Sequence, residues 1–98
     1  MTSLEGRVLR RRRALDAPVG VRSELWIMHE LARRLDAPGA YSTEPSEVFD
    51  ELARASEGGL ADYSGLSHEL LDTEVPAYWP YPVGSIEVRP VAFRPDAA

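Results

Sequence analysis

Between residues 23 and 82, apolar residues recur at helical spacing in short runs that end at proline or glycine. One amphipathic run at 23–35 is followed by Pro38-Gly39, and a second at 44–56 is followed by Gly58-Gly59. Because proline and glycine interrupt helices, each run is limited to about three turns. Helices of that length are not stable alone in water, so we expect them to depend on mutual packing.

The first helix is predicted to begin after Ser23, whose hydroxyl can accept a free N–H of the first turn. Glu24 in the first turn and Arg33-Arg34 in the last turn match the helix dipole. Five apolar residues fall on one face at the spacing of a helix that packs on a core. They are Leu25, Met28, Leu31, Ala32 and Leu35.

The second helix is predicted to begin after Thr43, with Pro45 in its first turn. Proline is tolerated there because the N–H groups of the first turn have no acceptor within the helix. A third, shorter helix is predicted after Ser67, because Leu66 and Leu71 are spaced as a hydrophobic staple. The predicted buried stripe of the second helix is Val48, Phe49, Leu52 and Ala53.

Short edge strands are predicted near both ends of the chain, at Gly6–Leu9 and Ile86–Val91. The two strands could pair with each other, since neither has another obvious partner. Between the helices and the second strand, Val75–Pro82 holds three prolines and three aromatic residues and is predicted to be extended. The expected fold is therefore α+β, a single domain over residues 1–98 with three short helices and short edge strands near both termini.

The length and composition exclude several classes of function. A chain of 98 residues has room for one small core. It contains no cysteine, which excludes disulfides, cysteine nucleophiles and metal or iron–sulfur sites built on thiolates. No apolar run is long enough to span a membrane, and the N-terminus lacks the apolar stretch of a secretory signal. We therefore expect a cytoplasmic protein with no membrane partner.

Charge is distributed unevenly along the chain, whose net charge is −5. Four adjacent arginines, Arg10, Arg11, Arg12 and Arg13, could bind phosphate groups. The alternative is internal pairing with the acidic stretch Asp36–Glu74, which holds ten carboxylates and one basic residue. An acidic body repels a polyanion, so pairing within the chain or with a protein partner is favoured and no nucleic-acid partner is expected.

The candidate chemical groups are few, and no catalytic or metal-binding residue is predicted. His29 and His68 lie on separate predicted helices without a second ligand, which favours ordinary surface histidines. Ser64 lacks the flanking glycines of a nucleophile elbow and is interpreted as a turn residue. The remaining carboxylates are interpreted as a solvated face. They are Asp50, Glu51, Glu69, Asp72 and Glu74.

Several ordered runs resemble one stretch of the molybdopterin oxidoreductases, with assimilatory nitrate reductases and formate dehydrogenases as the nearest kinds. The resemblance begins at Glu5-Gly6-Arg7-Val8 and the following arginines, and it continues through the helix entry at 18–24 and the helix end at 31–35. It then covers the runs SEVFDELAR (46–54) and ADYSGLSHEL (61–70), and it ends at Trp79-Pro80.

The resemblance implies a segment of a cofactor-binding region rather than a complete enzyme. The family's cofactors are molybdopterin guanine dinucleotide, molybdenum and an iron–sulfur cluster. The family's cysteine cluster has no counterpart here, the molybdenum ligand lies outside the matched runs, and the C-terminal barrel is reduced to Gly84–Pro90. The isolated chain is therefore expected to bind no cofactor and to be inactive, with a larger oxidoreductase subunit or self-association as the expected partnership.

A second interpretation is a small helical interaction module, or a subunit that completes a split oxidoreductase. It would dock on a partner protein through Trp26, Tyr78, Trp79 and the apolar helix faces. The arginines at 10–13 are further candidate contacts. Trp79, together with Tyr78 and Tyr81, is predicted to be either the lid of the small core or an exposed apolar patch.

Overall fold

The computed structural model describes residues 1–39 and 41–85 of the chain. Three helices form, α1 (Glu24–Arg34), α2 (Pro45–Ser56) and α3 (His68–Leu71). This confirms the three predicted helices. Within the described part of the chain, no helix has the length and hydropathy needed to cross a bilayer.

The N-terminal strand predicted at Gly6–Leu9 is not confirmed. In the described residues, β-pairing is limited to isolated antiparallel bridges, Thr2 with Val8 and Arg7 with Tyr78. The second predicted strand, Ile86–Val91, lies outside the described residues, so pairing between the two strands stays a prediction.

The helix starts follow the capping chemistry of the sequence. The Ser23 hydroxyl accepts the N–H of Trp26 at 3.1 Å, and the Ser67 hydroxyl accepts that of Leu70 at 3.1 Å. The second helix begins one residue later than predicted, with Glu44 as its N-cap and Pro45 as its first residue. The reason is local, because the Ser42 hydroxyl holds the N–H of Glu44 at 3.0 Å and turns the chain there.

The core lies where the N-terminal segment, the loop before α3 and the extended stretch 75–82 meet. Its buried residues are Val8, Leu66 and Ala77. Two backbone hydrogen bonds of 2.8 Å join distant parts of the chain, from Val8 N–H to Ala77 O and from Trp79 N–H to Gly6 O. The half-buried residues packed around this core are Phe49, Tyr63, Leu70, Leu71, Trp79 and Tyr81.

The expected mutual packing of the three helices is wrong for α1, none of whose residues is buried. The other two helices meet at the core, where Phe49 of α2 and Leu70 and Leu71 of α3 pack against the same buried residues. On α2, Ala53 is buried and Val48 and Phe49 are half-buried, but Leu52 is 53% exposed. The predicted stripe of α2 is therefore too wide, because the small core covers only one edge of that helix.

Candidate functional site

The loop between α2 and α3 is organised around Asp62, a carboxylate with only 5% of its surface exposed. Its two oxygens accept the N–H of Gly58 at 2.9 Å and the N–H of Ser64 at 2.8 Å. Hydrogen bonds from the Ser64 side chain, the Ser64 backbone and the Gly58 backbone lower the pKa of Asp62, although burial opposes them. The ionised carboxylate thus joins Gly58, just after α2, to Ser64 further along the loop.

The same loop is joined to the extended stretch that follows α3. Tyr81 N–H donates to the Asp62 carbonyl and Gly65 N–H donates to the Tyr81 carbonyl, each at 2.8 Å. The Ser64 hydroxyl accepts the N–H of Val83 at 2.9 Å. Ser64 therefore has the turn-forming role that the sequence indicates, and the two segments are held in a fixed register.

Aromatic side chains close the core on one side. The Tyr63 ring lies 6.4 Å from Phe49 in an edge-on arrangement and 6.5 Å from Trp79, measured between ring centroids. Trp79 and Tyr81 are half-buried against the core. Of the two alternatives left open by the sequence, these contacts favour the lid of the core.

Two N–H donors of this region are buried without an acceptor among the described residues. They are Nε of Arg7 and Nε1 of the Trp79 indole. An unmet buried donor costs stability, so neither group strengthens the core through hydrogen bonding. Tyr78, another of the aromatic contact candidates, forms an isolated antiparallel β-bridge with Arg7 through its backbone.

The arginine run is paired with the body of the chain through one carboxylate. The Arg10 and Arg12 guanidinium groups bind the two oxygens of Asp72, with 2.7 Å between Arg12 and its oxygen. Arg11 and Arg13 are exposed. The structure thus places part of the run in the internal pairing that the sequence favours, at the surface rather than in a pocket.

Trp26 lies outside the aromatic cluster that contains Trp79. The Arg22 guanidinium sits 5.3 Å from the centre of its ring, a cation–π arrangement that leaves the residue 41% exposed. The sequence-based contact candidates therefore do not form one continuous aromatic surface.

A cavity of about 370 Å³ lies between the second half of α1 and Tyr41. The His29 imidazole lines it, but its Nδ1–H is donated to the Tyr41 carbonyl at 2.6 Å. Arg33 also lines it and is bonded to the Glu30 carboxylate, which lowers the pKa of Glu30. His29 is thus held by the Tyr41 backbone and Arg33 by Glu30, so these two side chains do not form a catalytic pair with each other.

The described residues do not bring together three or more side chains of the metal-ligating types. The His68 ring lies 5.5 Å from the Phe49 ring, whereas His29 binds the Tyr41 carbonyl, so the two histidines have different surroundings. The sequence also has no cysteine, so the residues of this chain do not fit an iron–sulfur cluster held by thiolates.

Sequence reasoning missed Asp62 and Gly65, the two residues on which the loop geometry depends. An aspartate two residues before a serine near glycines is a typical Asx-turn signal, which could have identified Asp62. Gly65 had no such signal, because its role depends on the approach of a distant part of the chain. The predicted apolar face of α1 also omits Ile27, which lies on the helix one turn before Leu31.

Comparison with known proteins identifies two relatives, whereas no family model and no solved structure matches. The chain is 39% identical over 83 residues to the assimilatory nitrate reductase catalytic subunit of Bacillus subtilis strain 168. It is 42% identical over 83 residues to the assimilatory nitrate reductase of Haloferax mediterranei. The matches cover 84% and 82% of this chain but only 12% of each relative.

The matched region contains all three helices, whichever residues of this chain it begins and ends at. A match over 82% of 98 residues leaves roughly 18 unmatched, so residues 19–80 are included. The chain spans about 12% of the length of the curated relatives it matches. Over most of its length, this chain is therefore homologous to one short segment of the assimilatory nitrate reductase catalytic subunits.

Proposed function

We propose that this chain is a shortened or detached segment of a molybdopterin-dependent, nitrate reductase-like oxidoreductase that contributes structure and has no catalytic activity alone. The observation that carries the proposal is the identity of about 40% with two nitrate reductases over more than four-fifths of the chain. Its restriction to 12% of each relative supports a structural contribution to a larger enzyme.

The packing supports this assignment, because the runs that carry the resemblance meet in space. Gly6 and Val8 belong to the first run, Leu66 to the ADYSGLSHEL run, and Trp79 to the last. Val8 and Leu66 share the core, and Gly6 accepts the backbone N–H of Trp79. We infer that the matched segment of the larger protein makes the same contacts.

The donor groups of the chain support the non-catalytic part of the proposal. An iron–sulfur cluster needs thiolates that this sequence lacks, and the described residues assemble no metal-ligand group. The metal centre would therefore be held by other parts of an oxidoreductase. Metal and pterin analysis of the purified chain tests the non-catalytic part of the proposal, and stoichiometric molybdenum, iron or pterin would overturn it.

A segment exchange tests the proposed equivalence directly. In the Bacillus subtilis catalytic subunit, the 83 matched residues are replaced by the matched residues of this chain. Growth of a strain that depends on this chimera, with nitrate as the sole nitrogen source, is the readout. We expect growth, whereas a subunit with a flexible glycine-serine linker at the same place should give none. A stable chimera without activity would contradict the proposal.

The alternative is a small helical interaction module, or a subunit that completes a split oxidoreductase, with Trp26, Tyr78 and Trp79 at its contacts. Exposed apolar side chains on α1 favour some form of partnership. A neighbouring open reading frame that encodes the missing cysteine cluster and barrel would distinguish this case. Part of the same proposal is a cytoplasmic location, which fractionation of cells that express the tagged chain tests.

A further inference from the structure

We propose that one apolar stripe of α1 docks onto an apolar surface of the remaining polypeptide of a nitrate reductase-like catalytic subunit. The stripe, called the α1 stripe below, consists of Ile27, Met28 and Leu31 of the helix and of Leu35, its C-cap. This inference rests on the proposed function and adds to it the surface by which the segment would be held.

The α1 stripe is continuous and open to solvent. Ile27, Leu31 and Leu35 follow one another at intervals of four residues, so they lie above one another on the helix, with Met28 beside them. Their exposed fractions are 47% for Ile27, 63% for Met28, 52% for Leu31 and 71% for Leu35. Single exposed apolar residues are ordinary, but four on one helix face form a patch typical of an interface.

The rest of α1 is built as a surface helix with a defined polar side. Glu30 pairs with Arg33 at 2.9 Å and lies 3.7 Å from Arg34. Ser23 caps the first turn. An amphipathic helix of this kind normally turns its apolar side to a core, but no residue of α1 is buried in this chain. Among residues 1–39 and 41–85, the four side chains of the stripe are therefore left without a partner that buries them.

The relatives indicate which partner covers it. Because residues 19–80 lie inside the match, α1 has a counterpart in a catalytic subunit of which the matched segment is only 12%. In such a protein, the surrounding chain is present at high effective concentration, and it supplies most of the surface available to the helix. The remaining catalytic polypeptide is therefore the occupant that we assign, rather than a second copy of this chain.

The experiment places aspartate in the α1 stripe within the Bacillus subtilis chimera. Ile27→Asp and Leu31→Asp are compared with Leu60→Asp, a matched control at a residue that is 91% exposed after α2. A carboxylate forced into an apolar contact is strongly unfavourable, so the two stripe variants should lower the yield of active chimera by about tenfold or more. The Leu60 control should stay within about twofold.

The same substitutions in the isolated chain distinguish docking from a general folding defect. Because the stripe is exposed there, Ile27→Asp and Leu31→Asp should leave its circular dichroism spectrum and unfolding midpoint close to those of the unsubstituted chain. Loss of the isolated fold in either variant would contradict an open stripe and overturn the inference.

The remaining outcomes separate this inference from the function on which it rests. An active unsubstituted chimera whose stripe variants match the Leu60 control would overturn the docking inference alone. An inactive unsubstituted chimera would overturn both. A dimer of the isolated chain that Leu31→Asp dissociates would assign the stripe to a second copy and would also overturn the inference.

Discussion

Gly65 lies directly against Tyr81, so closely that no side chain fits between them. A Cβ atom at position 65 would be 2.6 Å from Cδ1 of the Tyr81 ring and 2.8 Å from its carbonyl oxygen. The Pro82 carbonyl oxygen would be 2.7 Å away. Because Gly65 N–H also donates to the Tyr81 carbonyl, this contact fixes the extended stretch against the loop before α3.

We expect Gly65→Ala to lower the free energy of unfolding by about 1–3 kcal/mol, the usual cost of overpacking. Two of the three opposing atoms are backbone oxygens, so a rotamer change of Tyr81 cannot relieve the clash. Urea unfolding followed by tryptophan fluorescence measures the loss. Gly59→Ala is the control, since its Cβ meets only the Ser56 carbonyl oxygen, at 3.2 Å. Equal stability of the two variants would contradict the close contact.

The helix positions could be predicted from the sequence because their causes are local. Ser23 and Ser67 supply hydroxyls for the first turns, and the Gly58-Gly59 pair stops α2. Each of these signals acts within a few residues, so no knowledge of the tertiary fold is needed. The start of α2 lies one residue later than the sequence predicts, because the Ser42 hydroxyl accepts the N–H of Glu44 and turns the chain there.

The packing could not be predicted in the same way. Periodicity on α1 indicates an apolar face, but it does not say whether the same chain covers that face. The partner of the N-terminal segment could not be predicted either, because the Val8 N–H donates a hydrogen bond to the carbonyl of Ala77, a residue distant in the sequence. The resemblance to oxidoreductases indicated which runs matter, but their convergence required the structure.

Protonation of Asp62 should weaken the fold at low pH. Because its pKa is lowered in the folded state, the stabilisation is fully present above the ordinary carboxyl value of 3.8 and is lost as the pH falls through the lowered pKa. Asp62→Asn should therefore remove part of the acid dependence of the free energy of unfolding. Urea unfolding at a series of pH values below 5 measures it. Asp50→Asn, at an exposed carboxylate of α2, should keep the original slope, and an unchanged slope in Asp62→Asn would refute the assignment.

Removing the two serine caps should have different consequences because only one cap supports the core. Either Ser23→Ala or Ser67→Ala costs roughly 1 kcal/mol of local helix stability. The loss at Ser67 should lower global stability, since Leu66, Leu70 and Leu71 pack in or against the core. The loss at Ser23 should increase amide exchange within α1 while the unfolding midpoint stays unchanged, because α1 has no buried residue. Similar global losses in both variants would show that α1 is part of the cooperative core.

The ion pairs of Arg10 and Arg12 with Asp72 should orient the N-terminal segment without contributing much stability. Both arginines are partly exposed, with 35% and 69% of their side-chain surfaces open, so solvent screens the attraction. Surface pairs of this kind contribute about 0–1 kcal/mol each, and salt weakens them further. Asp72→Asn removes both pairs and should therefore lower the free energy of unfolding by at most about 2 kcal/mol at low salt and by less at high salt. Glu74→Gln, at a neighbouring exposed carboxylate, is the control.

Because the pairing neutralises part of the arginine run, a short labelled DNA duplex should not bind at near-physiological salt. Micromolar binding that weakens steeply with added salt would contradict this prediction, since that slope measures counterions released from phosphates.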